Sequence, residues 1–290
     1  MAVLRYLQLD VFAPRPGTGN PLGAILDADE LSSSQMQALA AWLNLSETVF
    51  FLRPSAPGAD YHIRIFTPTR ELAFAGHPSV GAAWAAVICG LAQPRDGALL
   101  QQCAAGLLPV RVSGPAEALQ IQLASPPAQQ LDTAADGAPE TLLALAASGH
   151  VPELWDNGAR WWLLPLRDAS AVRNLVPDMA ALADWSLATD ATGLAVFADE
   201  AGTDHTRVVR AFCPADAAAV PEDPVTGSAN ALIGAWLRQR DALPGREGHY
   251  VASQGREVGR DGRVQVQVDA QGTVWIGGQV QAVIDGHIRW

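Results

Sequence analysis

The sequence has 290 residues, of which 49% are hydrophobic, 17% charged and 7% aromatic. These values exclude disordered, collagen-like and membrane-spanning classes, and make two packed domains the expected organisation. Thirty acidic residues against nineteen basic ones give a net charge of -11. A nucleic-acid backbone would therefore be repelled, and no local basic patch reverses that field.

The N-terminal stretch MAVLRYLQLDVFAP meets Gln8 and Asp10 before a signal-peptide apolar core can build up, so a cytoplasmic location is expected. The longest apolar run, Val80 to Ala92, contains two glycines and is shorter than the ~20 residues a spanning helix needs. Cys89, Cys103 and Cys213 lack metal-type spacing, which suits a reducing compartment and gives no zinc site or disulfide framework.

In chain order, a strand is predicted at Leu4 to Phe12, a Gly19-Asn20-Pro21 loop, and a second strand at Gly23 to Leu26. An amphipathic helix follows the Ser32-Ser33-Ser34 cap candidates, with Met36, Leu39, Ala40 and Leu43 at helical spacing. Strands are predicted at Thr48 to Arg53 and Tyr61 to Thr67. An Ala-rich helix opens near Gly76-His77-Pro78, with the proline suited to a first helical position. Strands near Leu108 to Val112 and Leu119 to Leu123 lead to a Pro/Ala/Gln/Asp-rich stretch, Ser125 to Pro139, read as a linker.

The second half repeats the outline. Strand Arg160 to Pro165, a helical region around Val176 to Trp185, strands Leu194 to Ala198 and Thr206 to Cys213, and a helix Thr226 to Arg240 reproduce the earlier order. Short strands at Gly248 to Ser253, Arg263 to Val268, Thr273 to Gly277 and Gln279 to Ile284 close the chain. Each half opens its long helix with a small-residue turn, GHPSVGAAW at 76–84 and TGSANALIGAW at 226–236. The fold class expected is α+β, with two related halves divided near residue 125: an N-terminal domain over 1–125 and a C-terminal one over 126–290.

Three side chains stand out. Glu47 sits where a helix hands over to the apolar run Val49-Phe50-Phe51; desolvation there would raise its pKa and suit it to proton transfer, while a surface turn residue is the plainer reading. His77, in the first turn of its helix, would be kept neutral by the helix dipole, or would be a simple capping residue. Asp223 precedes a helix as an N-cap acid does. Trp161 and Trp162 are expected to divide between the core and the surface of one strand.

Taken together, Gly19-Asn20-Pro21, Asn44-Leu45-Ser46-Glu47, Phe66-Thr67-Pro68, Phe74-Ala75-Gly76-His77-Pro78, Pro221 to Ala229 and Gln254 to Arg260 resemble the successive signatures of the PhzF-like (phenazine-biosynthesis isomerase) family. They run in the family's order over most of the chain. The resemblance implies a diaminopimelate-epimerase-like fold: two pseudo-symmetric domains, each a curled, mostly antiparallel sheet around a central helix, with the last strands able to return to the first domain. It implies a cofactor-free isomerase that moves a proton within a dihydro-hydroxyanthranilate-type carboxylate. Carried over by motif, Glu47 is the acid/base, His77 and Asp223 contact polar substituents and the amino group, and backbone N–H groups near Gly76, Gly227 and Ser228 hold the substrate carboxylate at two facing helix starts.

No metal is expected, and a homodimer is implied. Racemases of this fold carry a cysteine ahead of each helix; here Ala75 precedes Gly76, and Cys213 lies ten residues before Asp223. The alternatives are an epimerase or isomerase acting on another amino acid derivative, and a non-catalytic member of the fold binding a metabolite or a protein.

Overall fold

A computed structural model of the protein describes residues 3–214, 221–244 and 248–290. They form two units, one running to Ala124 and including Gly277–Trp290, the other Ser125–Ile276. In the first, strand β1 (Val3–Val11) pairs antiparallel with β2 (Asn20–Ile25) and, on its other side, with the final strand β18 (Val280–Arg289). β3 (Glu47–Leu52) joins β2 in parallel, β4 (Tyr61–Phe66) joins β3 antiparallel, and β5 (Glu71–Leu72) is a short antiparallel addition to β4. β6 (Ala98–Cys103) returns parallel to β4, and β7 (Gly106–Ser113) and β8 (Gln120–Ala124) complete the sheet antiparallel.

Burial explains the strand sequences. β7 alternates buried and exposed residues because one face meets the core and the other water. β3 is buried at every position from Thr48 to Phe51, since helices cover both of its faces. One is α1 (Ser33–Leu43), whose Met36, Leu39 and Ala40 pack with Ile25, Phe50 and Phe66. The Ser32 side chain and Gln35 form a capping box at its start.

The other is α2 (Gly76–Ile88), buried on all sides through its first two turns and touching β1, β2, β3, β4, β8 and β18. A helix apolar all round belongs at a centre, with the sheet curled about it. Gly81 makes the approach possible, because a Cβ there would collide with Leu22 Cδ2 and lie 2.8 Å from Val11 Cγ2. α2 begins at Gly76, so Pro78 is its third residue rather than its first. The ring is tolerated there because first-turn N–H groups have no acceptor within the helix.

The second unit repeats the pairing pattern. β9 (Gln129–Gln130) and β10 (Glu153–Asp156) are antiparallel, as are β10 and β11 (Arg160–Pro165); β12 (Gly193–Asp199) adds in parallel and β13 (Arg207–Phe212) antiparallel. The two-residue β14 (Glu222–Asp223) sits on β13, β15 (His249–Gln254) returns parallel to β13, and β16 (Gly262–Val268) follows antiparallel. β17 (Val274–Gly278) precedes the return to β18.

Outer helices α3 (Glu140–Leu143), α4 (Ala169–Arg173) and α5 (Met179–Ala188) cover an apolar cluster that includes Trp162, Leu164, Leu182 and Trp185. The central helix is α6 (Gly227–Gln239), 13 residues long like α2. The order of antiparallel and parallel steps from β1 to β7 around α2 recurs from β10 to β16 around α6. This is an α+β fold of two related units.

Two expectations need correction. The stretch read as a linker contains β9, and Leu131 N–H donates to Leu154 O, so it is ordered by β10. Trp161 and Trp162 are both buried, because α6 covers one face of β11 and α5 the other: Trp162 stacks on Trp185 at 4.6 Å, and Trp161 bonds to α6.

Candidate active site

In the first unit α1 ends at Leu43, and Asn44 takes the left-handed conformation (φ 52°) that asparagine tolerates, turning the chain directly into β3. That turn delivers Glu47, the first residue of β3, to the position opposite Leu22 of β2. His77, the second residue of α2, places its Nε2 3.4 Å from Glu47 Oε2; the two side chains are 4% and 17% exposed. Behind the ring, Asn20 Nδ2 lies 3.3 Å from His77 Nδ1, and Ser46 Oγ–H donates to Asn20 Oδ1 at 3.4 Å. Asn20 is fully buried.

Burial pushes the His77 imidazole from its ordinary 6.5 down to about 3, a fall opposed only in part by a hydrogen bond with the Pro21 backbone. The ring is therefore neutral at ordinary pH, with loss of water as the largest cause. At 3.4 Å the neutral ring flanks the Glu47 carboxyl without a hydrogen bond between His77 Nε2 and Glu47 Oε2, so it bounds the carboxyl's surroundings as an uncharged neighbour.

A stability consequence follows. As pH falls below 6.5 the unfolded chain's histidine takes up a proton that the folded ring refuses until about pH 3, so acid favours unfolding across that window. Between about pH 6.5 and about pH 4.5 His77 is expected to account for a loss of about 2 kcal/mol. Urea unfolding of His77→Gln should depend less steeply on pH over this range. An unchanged slope would show that the ring titrates normally in the fold.

In the second unit Asp223 is not the cap of α6. The cap residue is Thr226, which, like Ala75 before α2, makes no side-chain bond to its helix. Instead Thr226 Oγ1–H donates to Asp223 Oδ2 at 2.7 Å. Buried Gln254 ties the turn together: its Oε1 accepts from Thr226 N–H and Asn230 Nδ2, and its Nε2 donates to Asp223 O and Thr226 Oγ1. Gly255 then turns away with φ 99°, at a place where a Cβ would collide with the Pro224 carbonyl.

Ser228, in the first turn of α6, accepts from the Trp161 indole N–H at 3.0 Å, and Asn157 Nδ2 donates to the Ser228 carbonyl at 3.1 Å. From the other side Glu222 is held by a bidentate pair with Arg210. Arg173 bonds to both Glu200 and Glu257 and so ties the turn after Gly255 to α4. It holds the Glu200 carboxyl down at about 2, with His205 adding to the effect. Among the described residues no three His, Cys, Asp or Glu side chains converge as metal ligands do, and no helix is long and apolar enough to cross a membrane.

Glu47, Gly76 and His77 thus share one unit and one corner of it, and Asp223, Gly227 and Ser228 share a corner of the other. Sequence reasoning missed the supporting contacts of Asn20, Ser46, Trp161 and Gln254. The available signal was an amide residue at a strand end beside a glycine, Asn20 after Gly19 and Gln254 before Gly255, since buried amides are kept only where their hydrogen bonds are met.

This repeated topology, two related units each built round a central helix, is that of the diaminopimelate-epimerase-like fold. The model of the family described as "Phenazine biosynthesis-like protein" matches residues 9–286. The chain is 35% identical over 292 residues to "Antisense-enhancing sequence 1" of Schizosaccharomyces pombe, covering 97% of each. It is 34% identical over 273 residues to the trans-2,3-dihydro-3-hydroxyanthranilate isomerase of Pseudomonas aeruginosa, covering 92% of this chain and 91% of that one. A solved Bacillus anthracis protein of the PhzF family superposes over the full length of both chains with a TM-score of 0.85 at 24% identity. The chain belongs to the phenazine-biosynthesis-like (PhzF) family and is an isomerase.

Proposed function

We propose that this isomerase moves a proton within a small amino carboxylate of the trans-2,3-dihydro-3-hydroxyanthranilate type, with Glu47 as general acid and base and without a cofactor. The observation that carries the reading is the Glu47–His77 pair, 3.4 Å apart, with the ring buried and the carboxyl half-buried. In the proposed step the Glu47 carboxylate takes a proton from one ring carbon, the C–H electron pair moves into the ring as the double bonds shift, and the protonated Glu47 returns a proton to another ring carbon. Nothing is oxidised or reduced. His77 contacts a polar substituent of the substrate, Asp223 accepts from its amino group, and N–H groups near Gly76, Gly227 and Ser228 meet its carboxylate.

The named substrate of the Pseudomonas aeruginosa relative is the compound to test. Turnover in D2O should give an isomer carrying deuterium at the carbon that receives the proton. No conversion of that compound, together with inversion and deuterium uptake at the α-carbon of an amino acid, would replace this reading by that of an epimerase.

We also propose that the protein acts as a homodimer in the cytoplasm; three cysteines without regular spacing suit a reducing compartment. Light scattering should give the mass of two chains, and a constant single-chain mass across a wide concentration range would overturn the dimer.

A further inference from the structure

The α6 corner contains two hydroxyls whose hydrogens are directed by groups behind them. Gln254 can adopt only one amide orientation, because two of its partners are backbone groups of fixed character. The Thr226 N–H is a donor and must face Oε1, and the Asp223 C=O is an acceptor and must face Nε2. Nε2 then donates to Thr226 Oγ1 at 3.0 Å, so the one hydrogen of Thr226 goes to Asp223 Oδ2 at 2.7 Å. The Asp223 carboxylate is thereby held as an acceptor.

At Ser228 the same logic runs the other way. An indole N–H can only donate, so Trp161 makes Ser228 Oγ an acceptor at 3.0 Å and turns its hydrogen elsewhere. That O–H donates to none of the described residues, although Ser228 is only 9% exposed.

We propose that Gln254 and Trp161 are positioning residues that set the polarity of this corner, an acceptor at Asp223 beside a donor at Ser228. That polarity matches a ligand carrying an amino group next to a carboxylate. The inference rests on the proposed function for the ligand's class, but not for the direction of the hydrogen bonds. Gln254→Glu, nearly equal in size, presents an oxygen to Thr226 Oγ1 and draws its hydrogen away from Asp223. Trp161→Phe keeps an aromatic ring but frees the Ser228 hydroxyl to turn.

Simple loss of packing would weaken all ligands alike, whereas loss of polarity is selective. The probes are anthranilate, benzoate, which lacks the amine, and 2-aminobenzamide, which lacks the carboxylate, with binding measured by calorimetry. Gln254→Glu should reduce the preference for anthranilate over benzoate about 10-fold and leave the preference over 2-aminobenzamide unchanged; Trp161→Phe should do the reverse. Thr226→Val should reproduce the first pattern and Thr226→Ser should restore the wild-type preference. Equal losses for all three ligands in both variants would overturn the proposal.

If the wild-type protein binds none of the probes, the substrate class is wrong, and the hydrogen-bond direction is judged by NMR instead. The Trp161 indole N–H resonance should move upfield in Ser228→Ala, as for a lost hydrogen bond, and an unmoved resonance would overturn the wiring.

Discussion

Glu47→Gln is expected to lower turnover by about 10² to 10⁴-fold while leaving the fold and ligand affinity close to those of the wild type. The amide keeps the size of the carboxyl group and can still face His77 Nε2, now 3.4 Å from Glu47 Oε2, but it cannot accept and return a proton. His77 is neutral through burial, so replacing the carboxylate strands no charge on that ring. The measurement is the rate of deuterium exchange from solvent into the ligand, set beside the unfolding temperature. Near wild-type exchange in a well-folded Glu47→Gln protein would show that another group moves the proton. His77→Ala, by contrast, opens a cavity beside Glu47 and should weaken binding together with turnover.

The second large effect is expected at a pair that does not touch the ligand. Arg210 and Glu222 form a bidentate ion pair with side chains 8% and 10% exposed. The same guanidinium donates to the carbonyls of Val172 and Leu175 at the end of α4. Arg210→Met would leave the Glu222 carboxylate buried without its partner and those carbonyls without a donor, a loss of about 3 to 5 kcal/mol. Because Glu222 adjoins Asp223, affinity for an amine-bearing ligand should fall as well. Arg210→Met combined with Glu222→Leu should regain part of the stability, since the stranded charge is then gone. Arg5→Met, which breaks the exposed pair with Asp285, should change little. An Arg210→Met protein as stable as the wild type would mean that the buried pair contributes nothing net.

The chain's local grammar carried much of the fold. The Ser32-Ser33-Ser34 cap candidates, the helical spacing of Met36, Leu39 and Ala40, and the strand alternation around Tyr61 to Phe66 place α1 and β4 within a residue or two of their observed bounds. The step from Leu43 through Asn44 to Glu47 was legible for the same reason, since a helix end and a strand start are short-range events. β6 and β10 escaped notice. Ala98–Cys103 mixes two glutamines with its apolar residues, and Glu153–Asp156 is too short for a period to show. Trp161 was misjudged because alternation along a strand predicts one exposed face only when one face is uncovered, and α6 lies over the other.

By itself, then, the sequence determined the order of elements, the two small-residue turns that open α2 and α6, and the presence of Glu47, His77 and Asp223 at element boundaries. These depend on propensities and periods that act over a few residues. Tertiary structure alone decided which groups meet: His77 with Glu47 and Asn20, Gln254 with Thr226 and Asp223, Trp161 with Ser228, and β18 with β1 across nearly the whole chain. Burial followed from those meetings, and with it the neutral His77 and the fixed direction of each hydroxyl. A pKa or a hydrogen-bond direction depends on the solvent lost and the partner gained, and both are supplied by residues far away in sequence.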